Sequence, residues 1–364
     1  MCDATTIHEK IELLINSFRS VLYEPDETFL KNMETHNLAG DDICRYQYWE
    51  WTQGVGLYGL WQLFTHTGAR AYLDILTDYY DARMQVGLPG KNINTMAPIL
   101  TLTHVAEHTG NEQYLSVCHD WAEWAMHTLP RTQEGGFQHI TSDTVNDGEL
   151  WDDTLFMCVL ALARAGVIFD DESYRQEAIY QFLLHTKYLA DKRSGLWFHG
   201  FTFHGRHNFT KALWGRGNCW VTIAIPILIE TLSLPPSVEQ FLRQTLKNQV
   251  DSLVRFQDSS GMWHTLLDDP TSYLESSATS GIGYGILKAV HLGILDSSYV
   301  TAARRALPPI LDLIDGDGIV HQVSYGTPMG RESLDFYRTI PLRPMPYGQA
   351  TAILLLLESL KDSP

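Results

Sequence analysis

An all-α toroid of six helical hairpins, the (α/α)6 architecture, is the fold this 364-residue sequence predicts. Three observations carry it. Twelve segments show a helical period, they alternate between apolar and amphipathic character, and strand signals are scarce. The gaps between segments are short and polar or glycine-containing. No Gly/Ser-rich or charge-run linker interrupts them, so one domain spanning 1–364 is expected.

The periodicity places helices at roughly 6–22, 44–65, 69–86, 94–109, 112–128, 149–165, 171–189, 214–232, 236–257, 275–292, 297–313 and 346–361. Breakers fall where these spans end. In "HTGA" (66–69) and "HTGN" (108–111) a glycine follows the last periodic residues, as at a helix C-terminus. "LSLPPSVEQF" (232–241) carries two prolines and a serine, a stop followed by a new start. "NDGE" (146–149) sets Asn146 three residues before Glu149, a capping-box variant for the helix expected at 149–165. Short β-hairpins are expected at 136–141, 196–204 and 319–325.

The even-numbered helices, such as "WDDTLFMCVLALA" (151–163) and "WVTIAIPILIETL" (220–232), are apolar on most faces and should form an inner ring. The odd-numbered ones, such as "ESYRQEAIYQFLLHTKYL" (172–189), are amphipathic and should cover it. Loops entering the inner helices then share one rim, where function concentrates.

Composition narrows the function. A formal net charge of −17 argues against nucleic acid and anionic membrane surfaces as partners. No run of eighteen apolar residues is present, and "MCDATTIHEK" has no basic segment followed by an apolar one, so a cytoplasmic protein is expected. The five cysteines (Cys2, Cys44, Cys118, Cys158, Cys219) are scattered without a C-x-x-C, which favours reduced thiols and argues against zinc. No metal and no other cofactor is expected. Ten tryptophans and seventeen tyrosines supply packing and also platforms for the C–H faces of sugar rings.

"ELWDDTLFM" (149–157) sets two adjacent aspartates in an apolar segment. Read as helix, Asp153 shares a face with Met157 and Leu160, whereas Asp152 lies with Glu149 and Phe156, which leaves its exposure open. The other inner helices also begin with polar or aromatic residues: Trp51 and Gln53, Asn92 and Asn94, Glu275 and Ser276, Tyr347 and Gln349. His139 precedes the aspartates on a hairpin. The stretch 195–220 holds His199, His204, His207, Trp214, Arg216 and Trp220, with Arg216 between glycines, where a guanidinium can clamp a carboxylate. Together these starts predict one rim pocket of aromatics, amides and one or two acids.

The segments "WEWTQGVGLYG", "NINTMAPILTLTHVAEHTGNEQYL", "GELWDDTLFM", "FHG", "LWGRGNCW" and "LESSATSGIGYGILKAV" closely resemble the unsaturated rhamnogalacturonyl hydrolases of glycoside hydrolase family 105. They are more distantly similar to the unsaturated glucuronyl hydrolases of family 88. The resemblance implies an (α/α)6 fold and, as substrate, a small oligosaccharide ending in a 4,5-unsaturated uronic acid. Asp153 matches the family's catalytic acid, His139 and His199 match pocket histidines, and Trp51 matches an aromatic at the sugar site. Arg216 lies beside it, and Trp214 and Trp220 flank the same motif as expected substrate contacts. Asn94 stands where relatives often carry a second aspartate, so a single acid is expected, with Asn94 as its uncharged hydrogen-bonding partner. Three other readings predict different chemistry. A sugar 2-epimerase would use His199 and His204, an inverting glycosidase would pair Asp153 with Glu275, and a non-catalytic glycan-binding toroid would need only the aromatics.

Overall fold

The structure is a computed structural model that describes residues 4–25, 27, 30, 31 and 43–361. Cys2 and the side chain of Cys44 lie outside the described residues. Long helices run at α1 (Ala4–Val21), α2 (Trp51–Thr67), α3 (Arg70–Val86), α4 (Ala97–Thr109), α5 (Glu112–His127) and α6 (Leu160–Ile168). They continue as α7 (Glu172–Leu189), α8 (Gly215–Thr231), α9 (Pro236–Phe256), α10 (Ser276–His291), α11 (Val300–Asp312) and α12 (Pro346–Leu360). Helices α2, α4, α6, α8, α10 and α12 each pack on the next, and α12 packs back on α2, closing a ring. Outside it, α3, α5, α7, α9 and α11 each cover the inner helix that precedes them, and α1 covers α12. The first and last long helices of the chain thus form the sixth hairpin.

The inner helices are buried nearly all round because apolar residues occupy every face: Gly215–Leu228 of α8 and Tyr347–Ser359 of α12 are continuous buried runs. Small residues set the close approach of α8 and α10. A Cβ on Gly285 would lie 2.5 Å from the carbonyl oxygen of Thr222, and one on Gly281 would lie 2.6 Å from Cys219 Sγ. Cys118, Cys158 and Cys219 are free thiols in this packed interior. Gly68 and Gly110 end α2 and α4 in the left-handed conformation, as their sequence contexts predict.

The expected helix at 149–165 starts late. Residues Glu149–Trp151 form a strand, β1, that pairs antiparallel with β2 (Gly200–Thr202), and the chain then turns through a π-helical turn at Leu155–Val159 into α6. Backbone pairing with a distant segment overrides the local helical period there. Asn146, expected as a cap, instead adopts a left-handed conformation (φ 47°), and its side-chain amide donates to the His139 carbonyl. The expected hairpin at 196–204 supplies β2, whose partner lies about fifty residues upstream. At 136–141 and 319–325 only isolated bridges form, Arg131 with Phe137, Ile314 with Val320 and Ser324 with Leu342. A second pair, β3 (Trp263–His264) with β4 (Leu274–Glu275), gave no sequence signal.

Candidate active site

The two aspartates sit at the corner between β1 and α6, where the ladder stops: the amide of Asp152 still donates to the His199 carbonyl at 3.0 Å. They part at this corner. Asp152 is 0% exposed and faces the N-terminus of α8, where a Cβ on Gly217 would lie 2.1 Å from its Oδ2. The second glycine of "WGRGN" is what leaves room for that carboxyl. Asp153 turns the other way, 16% exposed, onto a cavity of about 830 Å³ at the N-terminal ends of the inner helices.

Burial raises the Asp153 carboxyl to about 7, against the opposing pull of backbone amides and of Arg216. Its Oδ1 accepts no hydrogen bond and lies 3.5 Å from His139 Nδ1. Burial lowers His139 to about 3, helped by nearby His185, so this contact joins a neutral imidazole to a carboxyl and is no ion pair at neutral pH. His139 is held by Thr154 Oγ1 at 2.7 Å and by stacking on Trp151, with ring centroids 4.3 Å apart and planes 6° from parallel. Asp152 is pushed well above the ordinary carboxylate range by burial and then by the charge of Asp153.

The aromatic wall begins at α2. Trp51 stacks on Tyr347 (4.6 Å, 25°) and meets Trp220 edge-on at 6.2 Å. Trp214, Trp220, Arg216, Asn94 and His139 also line the cavity. His199 does not: it packs behind the wall, 4.2 Å from Trp214, with Nδ1 2.7 Å from the Tyr337 hydroxyl. Asn94 reaches the wall, but the expected hydrogen bond from its side chain to Asp153 is not formed; its backbone N–H donates to Asn92 Oδ1.

Arg216 is 1% exposed and largely committed to protein. Its Nη1 donates to the Ser324 carbonyl at 3.0 Å and to Ser324 Oγ, and its Nη2 donates to the Tyr325 carbonyl at 3.1 Å and to Thr327 Oγ1 at 2.8 Å. The guanidinium lies between the Trp214 and Tyr347 rings. Two buried donors beside the cavity remain without acceptors: Arg216 Nε and Trp214 Nε1.

Two parts of the site escaped the sequence reading. Glu50, between Tyr48 and Trp51, is a second buried carboxyl on the cavity wall, raised to about 8 by burial. It caps α2 in a capping box with Gln53 and accepts from Ser142 Oγ at 3.0 Å. The E-x-x-Q spacing was its available signal. The aperiodic segment 325–346 forms another wall, folded over the cavity by Arg216; only its bonding partners reveal it. The other proposed pairs do not assemble. Glu275 is buried and occupied in capping α10 and accepting from the Ser324 amide, and His204 is exposed beside Asp147, so it shares no pocket with His199. Among the described residues no three His, Cys, Asp or Glu side chains are grouped to hold a metal ion, and no helix is long and apolar enough to cross a membrane.

Residues 25–362 match the model of Glycosyl Hydrolase Family 88. The chain belongs to this family. It is 32% identical over 316 residues to the unsaturated rhamnogalacturonyl hydrolase YesR of Bacillus subtilis (strain 168), covering 86% of this chain and 90% of that protein. The crystal structure of a possible GH105 family member from Salmonella enterica serovar Paratyphi A superposes with a TM-score of 0.90 at 45% identity, covering 98% of this chain and 94% of that one. A possible GH105 member from Klebsiella pneumoniae gives the same score and identity, over 97% and 93%. Membership in the family and the closed ring of six hairpins agree on the fold.

Proposed function

We propose that this protein is an unsaturated uronyl hydrolase, with one catalytic unit spanning the chain, that releases a 4,5-unsaturated uronic acid from the non-reducing end of lyase-cut oligosaccharides. The observation that carries the reading is Asp153: one carboxyl, raised to about 7 by burial, 16% exposed onto an aromatic-walled cavity. The family and the printed activity of the Bacillus subtilis relative support the substrate class.

The C4=C5 bond of such a uronate is an enol ether. Protonated Asp153 gives its proton to C4, and positive charge develops at C5, shared with the ring oxygen. Water adds to C5 and returns a proton to the Asp153 carboxylate. The resulting hemiketal opens, the bond to the aglycone breaks, and one water has been consumed. A single acid that becomes the base completes this cycle, whereas ordinary glycoside hydrolysis divides those roles between two carboxyl groups. His139, neutral and 3.5 Å away, can accept or relay a hydrogen bond without fixing Asp153 in its ionised form. Trp51 supplies a face for the sugar ring. The Arg216 Nε and Trp214 Nε1 donors, unpartnered in the cavity wall, are suited to the uronate carboxylate. Buried free thiols and the acidic surface fit work in a reducing cytoplasm on imported oligosaccharides.

The test is the ultraviolet absorbance of the conjugated C4=C5 carboxylate, followed on lyase-generated disaccharides. Loss of absorbance with release of the aglycone sugar is expected; a panel in which no unsaturated substrate loses absorbance would overturn the reading. An epimerase would leave the double bond intact, and the separation of His199 from His204 disfavours it.

A further inference from the structure

Among the described cations that line the cavity, Arg216 and Arg331 are largely bonded to protein and Arg343 is not. Arg216 is bonded to the 324–327 backbone and side chains, and Arg331 forms a two-pronged pair with Glu149 and also donates to Asn146 Oδ1 at 3.0 Å. Arg343 lines the same cavity, yet among the described residues its guanidinium has no carboxylate partner and no hydrogen bond; it lies 5.9 Å from the centroid of the Tyr325 ring. Every other charged side chain at the exposed part of this wall is acidic or already paired: Glu24, Glu27 and Asp143 stand on the remaining segments. Among the described residues of this acid-rich mouth, on a chain of net charge −17, Arg343 is the cation with a counter-ion still to find, apart from the deeper Arg216 Nε that the uronate carboxylate would meet.

The backbone beneath Tyr325 and Arg343 is fixed. Ser324 and Leu342 form an antiparallel bridge, flanked by Tyr325 N to the Pro341 carbonyl at 2.9 Å and Arg343 N to the Val323 carbonyl at 2.8 Å. Buried Glu275 accepts from the Ser324 amide at 2.8 Å, while buried Arg216 and the Tyr347 hydroxyl hold the Ser324 carbonyl. An aromatic ring with a cation poised over it at 5.9 Å is thus presented on a strap anchored from below, a pre-organised arrangement for one ring carrying one negative charge.

We propose that Tyr325 and Arg343 form a distal subsite for a second acidic sugar of the substrate, beyond the uronate that Asp153 attacks. Tyr325 receives the ring, and Arg343 pairs with its anionic substituent, a carboxylate or a sulfate ester. The enzyme therefore discriminates among lyase products by the charge of the aglycone as well as by the unsaturated end. The proposal rests on the unsaturated uronyl hydrolase reading.

The experiment compares unsaturated oligosaccharides of equal length whose downstream sugar bears a free carboxylate, its methyl ester, or a sulfate ester, with wild type and Arg343→Gln. Wild type should show a KM at least fivefold lower for an acidic form than for the methyl ester, and rising salt should erode that advantage. Arg343→Gln should bring the two KM values together, and Arg343→Lys should restore part of the difference. The carboxylate and sulfate arms show which anion is preferred. Equal KM values for acidic and esterified substrates in wild type, or a ratio unmoved in Arg343→Gln, would overturn the subsite. Calorimetric binding of the same sugars to Asp153→Asn, with and without Arg343→Gln, reads the same ratio without turnover. Failure of the hydrolase reading, seen as no absorbance loss on any substrate, is thereby separated from failure of the subsite.

Discussion

The two ends of the helical ring treat buried charge in opposite ways. At the C-terminal ends of the inner helices, charged groups satisfy one another: Lys288 pairs with Glu230 at 2.5 Å, Arg164 with Glu107 at 2.7 Å, and Glu358 with both His291 and Lys361 at 2.6 and 2.8 Å. The cations of α10 also lie where the helix dipole favours them. At the N-terminal ends, by contrast, both oxygens of Asp152, Oδ1 of Asp153, Nε of Arg216 and Nε1 of Trp214 lack protein partners. A buried polar group without a partner costs roughly 1–3 kcal/mol. Among the described residues such groups gather at the end with the cavity, although Arg164 Nε at the other end also lacks a partner. One end of the ring largely pairs its charges, and the other holds, in Asp153, Arg216 and Trp214 along the cavity wall, groups ready for a ligand.

The largest effect should come from breaking the ligand-facing end. Asp153→Asn should lower kcat by about 10²–10⁴-fold, with KM little changed because shape and neutral charge are kept; absorbance kinetics on an unsaturated disaccharide reads both. Retained wild-type turnover would sink the assignment of the acid. In the wild-type enzyme, rate should fall as pH rises through about 7, where Asp153 loses the proton it must donate.

The paired end should respond in stability and not in rate. Glu358, 2% exposed, is pushed up by burial, but His291 and Lys361 more than offset this and hold it below its usual value. Glu358→Gln should cost about 1–3 kcal/mol at neutral pH, seen as a lower Tm with kcat intact. Since its folded pKa is depressed, the stability Glu358 contributes is present at neutral pH and lost as pH falls into the acid range.

The sign reverses at the cavity. Asp152, Asp153 and Glu50 all keep their protons to a higher pH when folded than when unfolded. From about pH 4 to 8 the folded state therefore binds more protons, and stability falls as pH rises through that window. Asp152→Asn removes one of these groups and should flatten the decline of Tm with pH; an unchanged slope would mean that Asp152 is ionised in place.

The smallest effect sharpens the role of Asn94. A carboxylate introduced there by Asn94→Asp faces the same cavity as Asp153 and should disfavour its ionisation, moving the alkaline limb of the pH–rate profile upward. An unmoved limb would place the two side chains too far apart to interact.

The sequence by itself determined the ring. Twelve periodic segments, the inner–outer alternation and the glycine stops at Gly68 and Gly110 survive in the structure because each is a local consequence of burying one or all faces of a helix. It also determined that Asp153, Trp51, Trp214, Arg216 and Trp220 share one rim, since each stands at or near the start of an inner helix. Only the tertiary structure decided which way the two aspartates turn. Their helical reading failed because residues 149–151 pair with 200–202, a choice made by contacts across the chain. The same holds for Glu50, whose environment depends on Ser142 ninety-two residues away, and for the strap bearing Arg343, which has no period and is held by Arg216 and Glu275. Periodicity records what one element buries. Protonation state, orientation and the supply of unpartnered groups depend on what several elements bring to the same place.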